Sequence, residues 1–240
     1  MAAATAEQGI VELWQWGEYY CPWTYVAAVR LHAIMPEFRG RARLRLRPYP
    51  LELIDGHSAP RDVLDQEWWL AALQEPVAAF APFTGDDWPT TTMPAFEGAW
   101  CAARQGDDAL ATFDLAIRRA FFAEGRNIGR PEVVRAVAEE SGLDMAAFDR
   151  DLASGEARPA VEAEARLGRE RFRVRGTPTL MLADGTKLRH PIAYPRMENG
   201  RIVGVAPLPC CGDGCLDATR ALIEQAFASR PVAAESTAAR

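Results

Sequence analysis

Five cysteines are the residues of this 240-residue chain best suited to chemistry: Cys21, Cys101, Cys210, Cys211 and Cys215. Cys21 opens Cys21-Pro22-Trp23-Thr24. Ahead of it, Ile10 to Gly17 alternates apolar and aromatic residues and reads as a strand; behind it, Val26, Val29, Leu31 and Ile34 mark a helix that ends before Pro36. Pro22 suits the first helical turn, where no amide partner is lost. A thiol at a helix start meets free amides and the positive end of the helix dipole, which can lower its pKa from about 8.5 to about 3.5–7.5. Cys21 is therefore expected to be an exposed thiolate nucleophile, with Trp23 packed over the helix start. Thr24 can donate a hydroxyl hydrogen bond to that anion. Glu18, Tyr19 and Tyr20 precede the thiol, and a carboxylate there would raise its pKa and oppose the helix.

A second feature is Val174-Arg175-Gly176-Thr177-Pro178-Thr179, where Gly-Thr-Pro opens a strand. A proline there can simply mark a sheet edge. As a cis-proline it would expose the Thr177 backbone to an extended substrate chain. The third is Pro209-Cys210-Cys211-Gly212-Asp213-Gly214-Cys215. Three readings stay open for it: a redox pair relaying electrons to or from Cys21, a metal site, or incidental thiols. Neighbouring Cys210 and Cys211 are poorly placed to bridge each other, which leaves one of them to pair with Cys215. His190 is the only histidine near in sequence, so a tetrahedral zinc site lacks a clear fourth ligand and no metal is expected. Cys101 reads as a buried structural thiol, and His32 and His57 as structural residues without visible partners. Trp14 and Trp16 read as core, with Trp16 placed near the site. Trp68, Trp69, Trp88 and Trp100 could line a ligand pocket, though core packing explains them more simply.

The elements that must hold these residues follow from periodicity. Arg43 to Leu53 reads as a second strand, completing a βαβ unit. Residues 60–173 carry helical periodicity. Strand signals return at Thr179 to Ala183, with a turn at Asp184-Gly185, a partner strand over Thr186 to His190 and a further turn at Asn199-Gly200. A last helix covers Leu216 to Ala228. This is the order of an α/β, thioredoxin-like fold interrupted after its second strand by an α-helical subdomain. The expected division is a thioredoxin-like domain over 8–58 and 174–230, a helical insertion over 59–173 and a disordered tail over 231–240. In that arrangement the third strand runs antiparallel to the first and sets Pro178 opposite Cys21. The loop entering the last helix should emerge on the same edge, bringing the Cys210 to Cys215 segment within reach.

The strand, Cys21-Pro22-Trp23-Thr24, the long helical insertion and Gly176-Thr177-Pro178-Thr179 together resemble the DsbA-like oxidoreductases, and FrnE-like proteins in particular. Pro48-Tyr49-Pro50-Leu51, Ala120-Phe121-Phe122-Ala123-Glu124-Gly125-Arg126-Asn127-Ile128-Gly129 and Glu139-Glu140-Ser141-Gly142-Leu143-Asp144 extend the resemblance over residues 10–228. It implies thiol-disulfide exchange at Cys21 and substrate held at Thr177 and Pro178, with Cys210 and Cys215 similar to a C-terminal cysteine pair of FrnE-like proteins. Kappa-type glutathione transferases and 2-hydroxychromene-2-carboxylate isomerases are similar too. They suggest an alternative, a glutathione-dependent transferase or isomerase acting on a small hydrophobic substrate. A third reading is a non-catalytic peptide-binding module. The chain departs from the oxidoreductase pattern at Thr24, where a second cysteine is usual and would resolve the mixed disulfide.

Composition narrows the partners. With 49% hydrophobic and 25% charged residues the chain can bury a proper core, and its net charge of −6 disfavours nucleic acid and acidic membranes. An odd cysteine count without an export segment or a long apolar run points to the cytoplasm. Expected partners are protein thiols and disulfides or a small thiol. No tightly bound cofactor is expected, although glutathione or another low-molecular-weight thiol could serve; the oligomeric state stays open, a homodimer included.

Overall fold

The computed structural model describes residues 9–58 and 60–228; the tail expected over 231–240 lies outside them. β1 (Val11–Gly17) pairs in parallel with β2 (Ala42–Pro48), from Val11 opposite Ala42 to Gly17 opposite Pro48. Between them runs α1 (Pro22–Ile34). β3 (Thr179–Leu182) lies antiparallel on the other side of β1, with Trp16 opposite Thr179 and Leu13 opposite Leu182. β4 (Lys187–Leu188) completes a sheet of order β2-β1-β3-β4.

The second strand is shorter than its apolar pattern suggests. It stops at Pro48, and Leu51–Asp55 turns into a short helix, α2. Pro48 and Pro50 remove two amides from any continued ladder, so the chain cannot extend as strand there. Helices then run without an intervening strand, as the periodicity predicts: α3 (Arg61–Gln74), α4 (Met93–Ala103), α5 (Asp107–Phe122), α6 (Pro131–Glu140), α7 (Met145–Ala153) and α8 (Ala157–Glu170). After the sheet, β5 (Pro195–Glu198) and β6 (Arg201–Val205) form a separate hairpin about the Asn199-Gly200 turn, and α9 (Gly214–Ala228) closes the described chain.

α1 is covered on nearly every side, which accounts for its lack of a polar face. Leu31 and Ile34 pack with Leu13 and Leu180 of the sheet and with Leu222 and Ile223 of α9. Tyr25 joins the aromatic core of the helical block, stacked on Phe122 at 5.2 Å. Val26 and Ala27 pack with Cys21, Trp23 and Ile192. Each fully buried Leu or Ile contributes about 1.5–3 kcal/mol, so these contacts fix the direction of the helix firmly. Two glycines allow the close approaches around it. A Cβ on Gly168 of α8 would lie 2.6 Å from the Trp16 ring, and one on Gly17 would lie 2.6 Å from Thr24 Cγ2. Trp16 is wholly buried among Tyr49, Val174 and Met181, in the core beneath the sheet.

Candidate active site

Cys21 is the N-cap of α1, in extended conformation (φ −77°, ψ 112°), and its carbonyl accepts the Tyr25 amide. The β1–β3 register sets Thr179 against Trp16, so the preceding Thr177-Pro178 arrives beside the start of α1. The Thr177–Pro178 peptide is cis. Cys21 Sγ lies 3.4 Å from the Thr177 carbonyl oxygen, toward which the thiol donates. The structure thus brings Cys21 and Thr177-Pro178 together, as the strand order predicts.

The expected exposed thiolate is not what the structure shows. Cys21 is only 7% exposed, and burial pushes its thiol pKa above the ordinary value. The Thr177 and Thr24 side chains and the Thr24 amide pull it back down, but not far enough. The one contribution from the helix start is the Thr24 amide, while the apolar cover of Trp23, Val26, Ala71 and Ile192 excludes the water an anion needs. Thr24 is fully buried and its hydroxyl has no hydrogen-bond partner. A buried orphan donor beside a thiol gains its partner when that thiol ionises.

Glu18 does not act on the thiol as expected. Its carboxylate accepts from the Tyr19, Tyr20 and Leu51 amides, at 2.5, 3.3 and 2.7 Å. Burial pushes its pKa up to about 7 despite those bonds. The carboxylate that does raise the Cys21 pKa is Glu67 of α3, itself pushed up by burial and held back by a hydrogen bond from the Trp23 side chain. Tyr194 stands edge-on to Trp23 at 5.8 Å, and its hydroxyl pKa is raised by burial and by the charge of a Cys21 thiolate. Spacing could have found Glu67, three and four residues from buried Leu64 and Ala71 on one helix face. No sequence pattern marks Tyr194.

Beneath the site lies a buried ion-pair network. Arg118 pairs with Asp114 at 3.0 Å, donates to the Glu18 carbonyl and sits 4.6 Å over the Tyr19 ring. His32, expected to lack a partner, contacts Asp114 Oδ2 at 3.3 Å. Burial would raise the Asp114 carboxyl, yet Arg118 and His32 hold it at about 2. This pairing supports the loop that delivers Cys21. His57 contacts only the neighbouring Ser58 carbonyl through Nδ1.

In the C-terminal cluster, Cys210 and Cys215 form a disulfide with Cα atoms 5.0 Å apart, and Cys211 is an exposed free thiol. Cys210 Sγ lies 3.6 Å from the Pro191 carbonyl, and the next residue, Ile192, packs against the Cys21 cluster. The 191–192 segment therefore touches both the disulfide and the Cys21 cluster. His190 is turned away to Gln15 Oε1, at 2.8 Å, and burial with nearby Arg30 lowers its pKa to about 3. Among the described residues no group of three or more His, Cys, Asp or Glu side chains could hold a metal ion. Cys101 is fully buried, its pKa pushed up to about 12 by burial and by Asp151 and Glu97.

Two concavities adjoin the site. One, of about 390 Å³, is lined by Thr177, Pro178, Tyr194 and the β3–β4 hairpin. The other, of about 520 Å³, lies between β2 and helices α4, α5 and α8, and reaches Thr24 and Arg118 but not Cys21. Of the four tryptophans considered as pocket walls, only Trp100 lines it. Trp68 is aromatic core, Trp88 packs against that core, and Trp69 is 54% exposed.

The model of the DSBA-like thioredoxin domain matches residues 12–199, most of the chain and both halves of this site. The protein belongs to that family. No curated protein sequence matches it. Solved structures share the fold of this DSBA-like chain at low identity. The cytosolic disulfide reductase DsbM from Pseudomonas aeruginosa is 24% identical, with TM-score 0.59 over 89% of this chain and 97% of that one. DsbM has also been solved with GSH. A probable DsbA oxidoreductase from Streptomyces coelicolor is 18% identical, with TM-score 0.62 over 92% of each chain. A 2-hydroxychromene-2-carboxylate isomerase is 18% identical, with TM-score 0.53 over 72% of this chain and 86% of that one. No helix among the described residues is long and apolar enough to cross a membrane.

Proposed function

We propose that the protein is a cytoplasmic thiol-disulfide oxidoreductase in which Cys21 is the attacking sulfur. The observation that carries this reading is the placement of Cys21 Sγ 3.4 Å from the Thr177 carbonyl at the N-terminus of α1. Once ionised, Cys21 attacks one sulfur of a substrate disulfide. The substrate S–S bond breaks, a mixed disulfide with Cys21 forms, and the other substrate sulfur leaves as a thiolate. Pro22 starts the helix that presents the thiol, Trp23 and Tyr194 shield it, and Thr24 donates to the anion. Thr177 and Pro178 offer the backbone edge along which an extended substrate lies.

Release needs a second thiol because position 24 holds none. A low-molecular-weight thiol can attack the mixed disulfide, taking the substrate sulfur into a new disulfide and freeing Cys21. Reduced Cys210 and Cys215 could do the same, ending as the disulfide seen between them while Cys211 remains free. The missing local resolver gives a direct test. Thr24→Cys should shorten the lifetime of the Cys21 mixed disulfide at least several-fold, read by quenched-flow trapping and intact mass. An unchanged lifetime would show that position 24 does not face the reacting sulfur.

The same departure at Thr24 supports a second reading, in which a glutathione-type thiol binds beside Cys21 and Pro178 and a small hydrophobic substrate is transferred or isomerised. The isomerase among the fold relatives and the GSH bound by DsbM favour it. A peptide-binding module without turnover predicts that Cys21→Ser leaves peptide affinity intact and that no covalent adduct forms.

A further inference from the structure

The groove beside Thr177 and Pro178 carries three cations, Arg175, Lys187 and Arg189, and no carboxylate. All three are exposed, and none makes an ion pair among the described residues. Arg169, Arg171 and Arg173, on the segment leading into the groove, are also exposed and without ion pairs. Elsewhere in the molecule arginines are paired as a rule, as in Arg30–Glu75, Arg118–Asp114 and Arg135–Asp149. The chain as a whole carries a net charge of −6, so this local excess of positive charge runs against its composition. The nearby carboxylates do not cancel it. Asp184, which accepts the Thr186 amide at the hairpin turn, and Glu170 both lie outside the groove lining. Glu67 faces the thiol from α3 instead. Burial raises the hydroxyl pKa of both Tyr49 and Tyr194, and the strip works against it, through Arg175 and Arg169 on Tyr49 and through Arg189 on Tyr194.

We infer that this groove selects disulfides bearing carboxylates, with Arg175, Lys187 and Arg189 binding the carboxylate beside the sulfur that Cys21 attacks. Guanidinium groups take carboxylates with charge-assisted, often bidentate hydrogen bonds, and an unpaired basic cleft raises the local concentration of an anionic partner. The groove's 390 Å³ suits a small ligand. The inference rests on Cys21 as the attacking sulfur and adds the charge of its substrate. The exchange itself is unaltered: Cys21 displaces one sulfur of the bound disulfide, which leaves as a thiolate.

The test uses single-turnover consumption of Cys21 in the Cys211→Ser protein. The probes are dianionic 5,5′-dithiobis(2-nitrobenzoate), neutral 2,2′-dithiodipyridine and cationic cystamine, each rate divided by that of N-acetylcysteine. The normalised anionic rate should exceed the neutral one by about tenfold or more at low salt, with the cationic rate lowest, and the advantage should shrink at high salt. In the triple variant Arg175→Gln, Lys187→Gln, Arg189→Gln the anionic-to-neutral ratio should fall to that of the free thiol. Glutathione disulfide and a longer disulfide-linked peptide with Asp and Glu flanks tell the two sources of carboxylate apart, and a salt-sensitive preference lost in the triple variant supports the inference for whichever shows it. If Cys21 reacts with every probe at free-thiol ratios, or the triple variant keeps the preference, charge selection is overturned and the exchange reading stands. If Cys21 reacts with none, both fall together.

Discussion

At the scale of single residues, the site turns on a thiol that is both favoured and penalised. Burial, with Glu67, opposes its anion, while Thr177, the Thr24 side chain and the Thr24 amide favour it. Thr24 is one of the groups that favour the anion, and its buried hydroxyl has no hydrogen-bond partner, which leaves it free to donate to a thiolate. Thr24→Val should therefore move the pH midpoint of Cys21 alkylation upward and slow iodoacetamide labelling at neutral pH. Stability by urea unfolding should change by no more than about 1 kcal/mol, since the lost hydroxyl had no hydrogen bond to lose. A large loss of stability with unchanged labelling would mean that Thr24 is structural. That Cys21 would start α1 and lie beside Thr177-Pro178 was legible from local context and strand order. The burial of Cys21 was not, since it depends on Ala71 and Ile192, which lie 50 and more residues away in sequence and reach the thiol only through tertiary packing.

At the scale of elements, the site depends on the close seating of α8 and α1 against β1. Gly168 lets α8 rest on the Trp16 ring, where an added Cβ would meet ring carbons at 2.6–2.9 Å. Gly168→Ala should cost about 1–3 kcal/mol in chemical denaturation, as overpacked sites usually do; a neutral result would show that α8 can shift without cost. The order of strands and helices was readable because β1, α1 and the β3–β4 hairpin each combine a clear period with a turn or cap signal. The second strand was read five residues too long, since Leu51 and Leu53 continue an apolar alternation that Pro48 and Pro50 cut off. Glu67 shows the converse. Its helix was evident and its spacing puts it on the face of Leu64 and Ala71, but that this face meets the thiol follows only from the packing of Ala71 with Cys21. The partner of His32 was hidden for the same reason, because Asp114 sits on a helix far away in sequence.

At the scale of the whole molecule, two buried carboxyls should shape stability against pH in separate windows. Glu18 titrates at about 7 in the folded protein and near 4.5 when free, so between those values the folded state holds a proton that the unfolded chain has released. Stability from this group is present below pH 4.5, falls as pH rises, and above its folded pKa is lower by about 3 kcal/mol. Asp114 works in the opposite sense: its depressed pKa contributes stability above 3.8 that is lost as pH falls toward 2. Glu18→Gln should remove the first slope and leave the second, read as unfolding free energy from about pH 2 to pH 8. Parallel curves for the two proteins would refute the Glu18 assignment. The central claim concerns the oxidation chemistry of the intact protein, and mass mapping of its five cysteines after brief exposure to a substoichiometric disulfide tests it most directly. The account predicts a mixed disulfide on Cys21, lost in Cys21→Ser, with Cys101 unmodified. An unmodified Cys21 beside labelled Cys211 would contradict it.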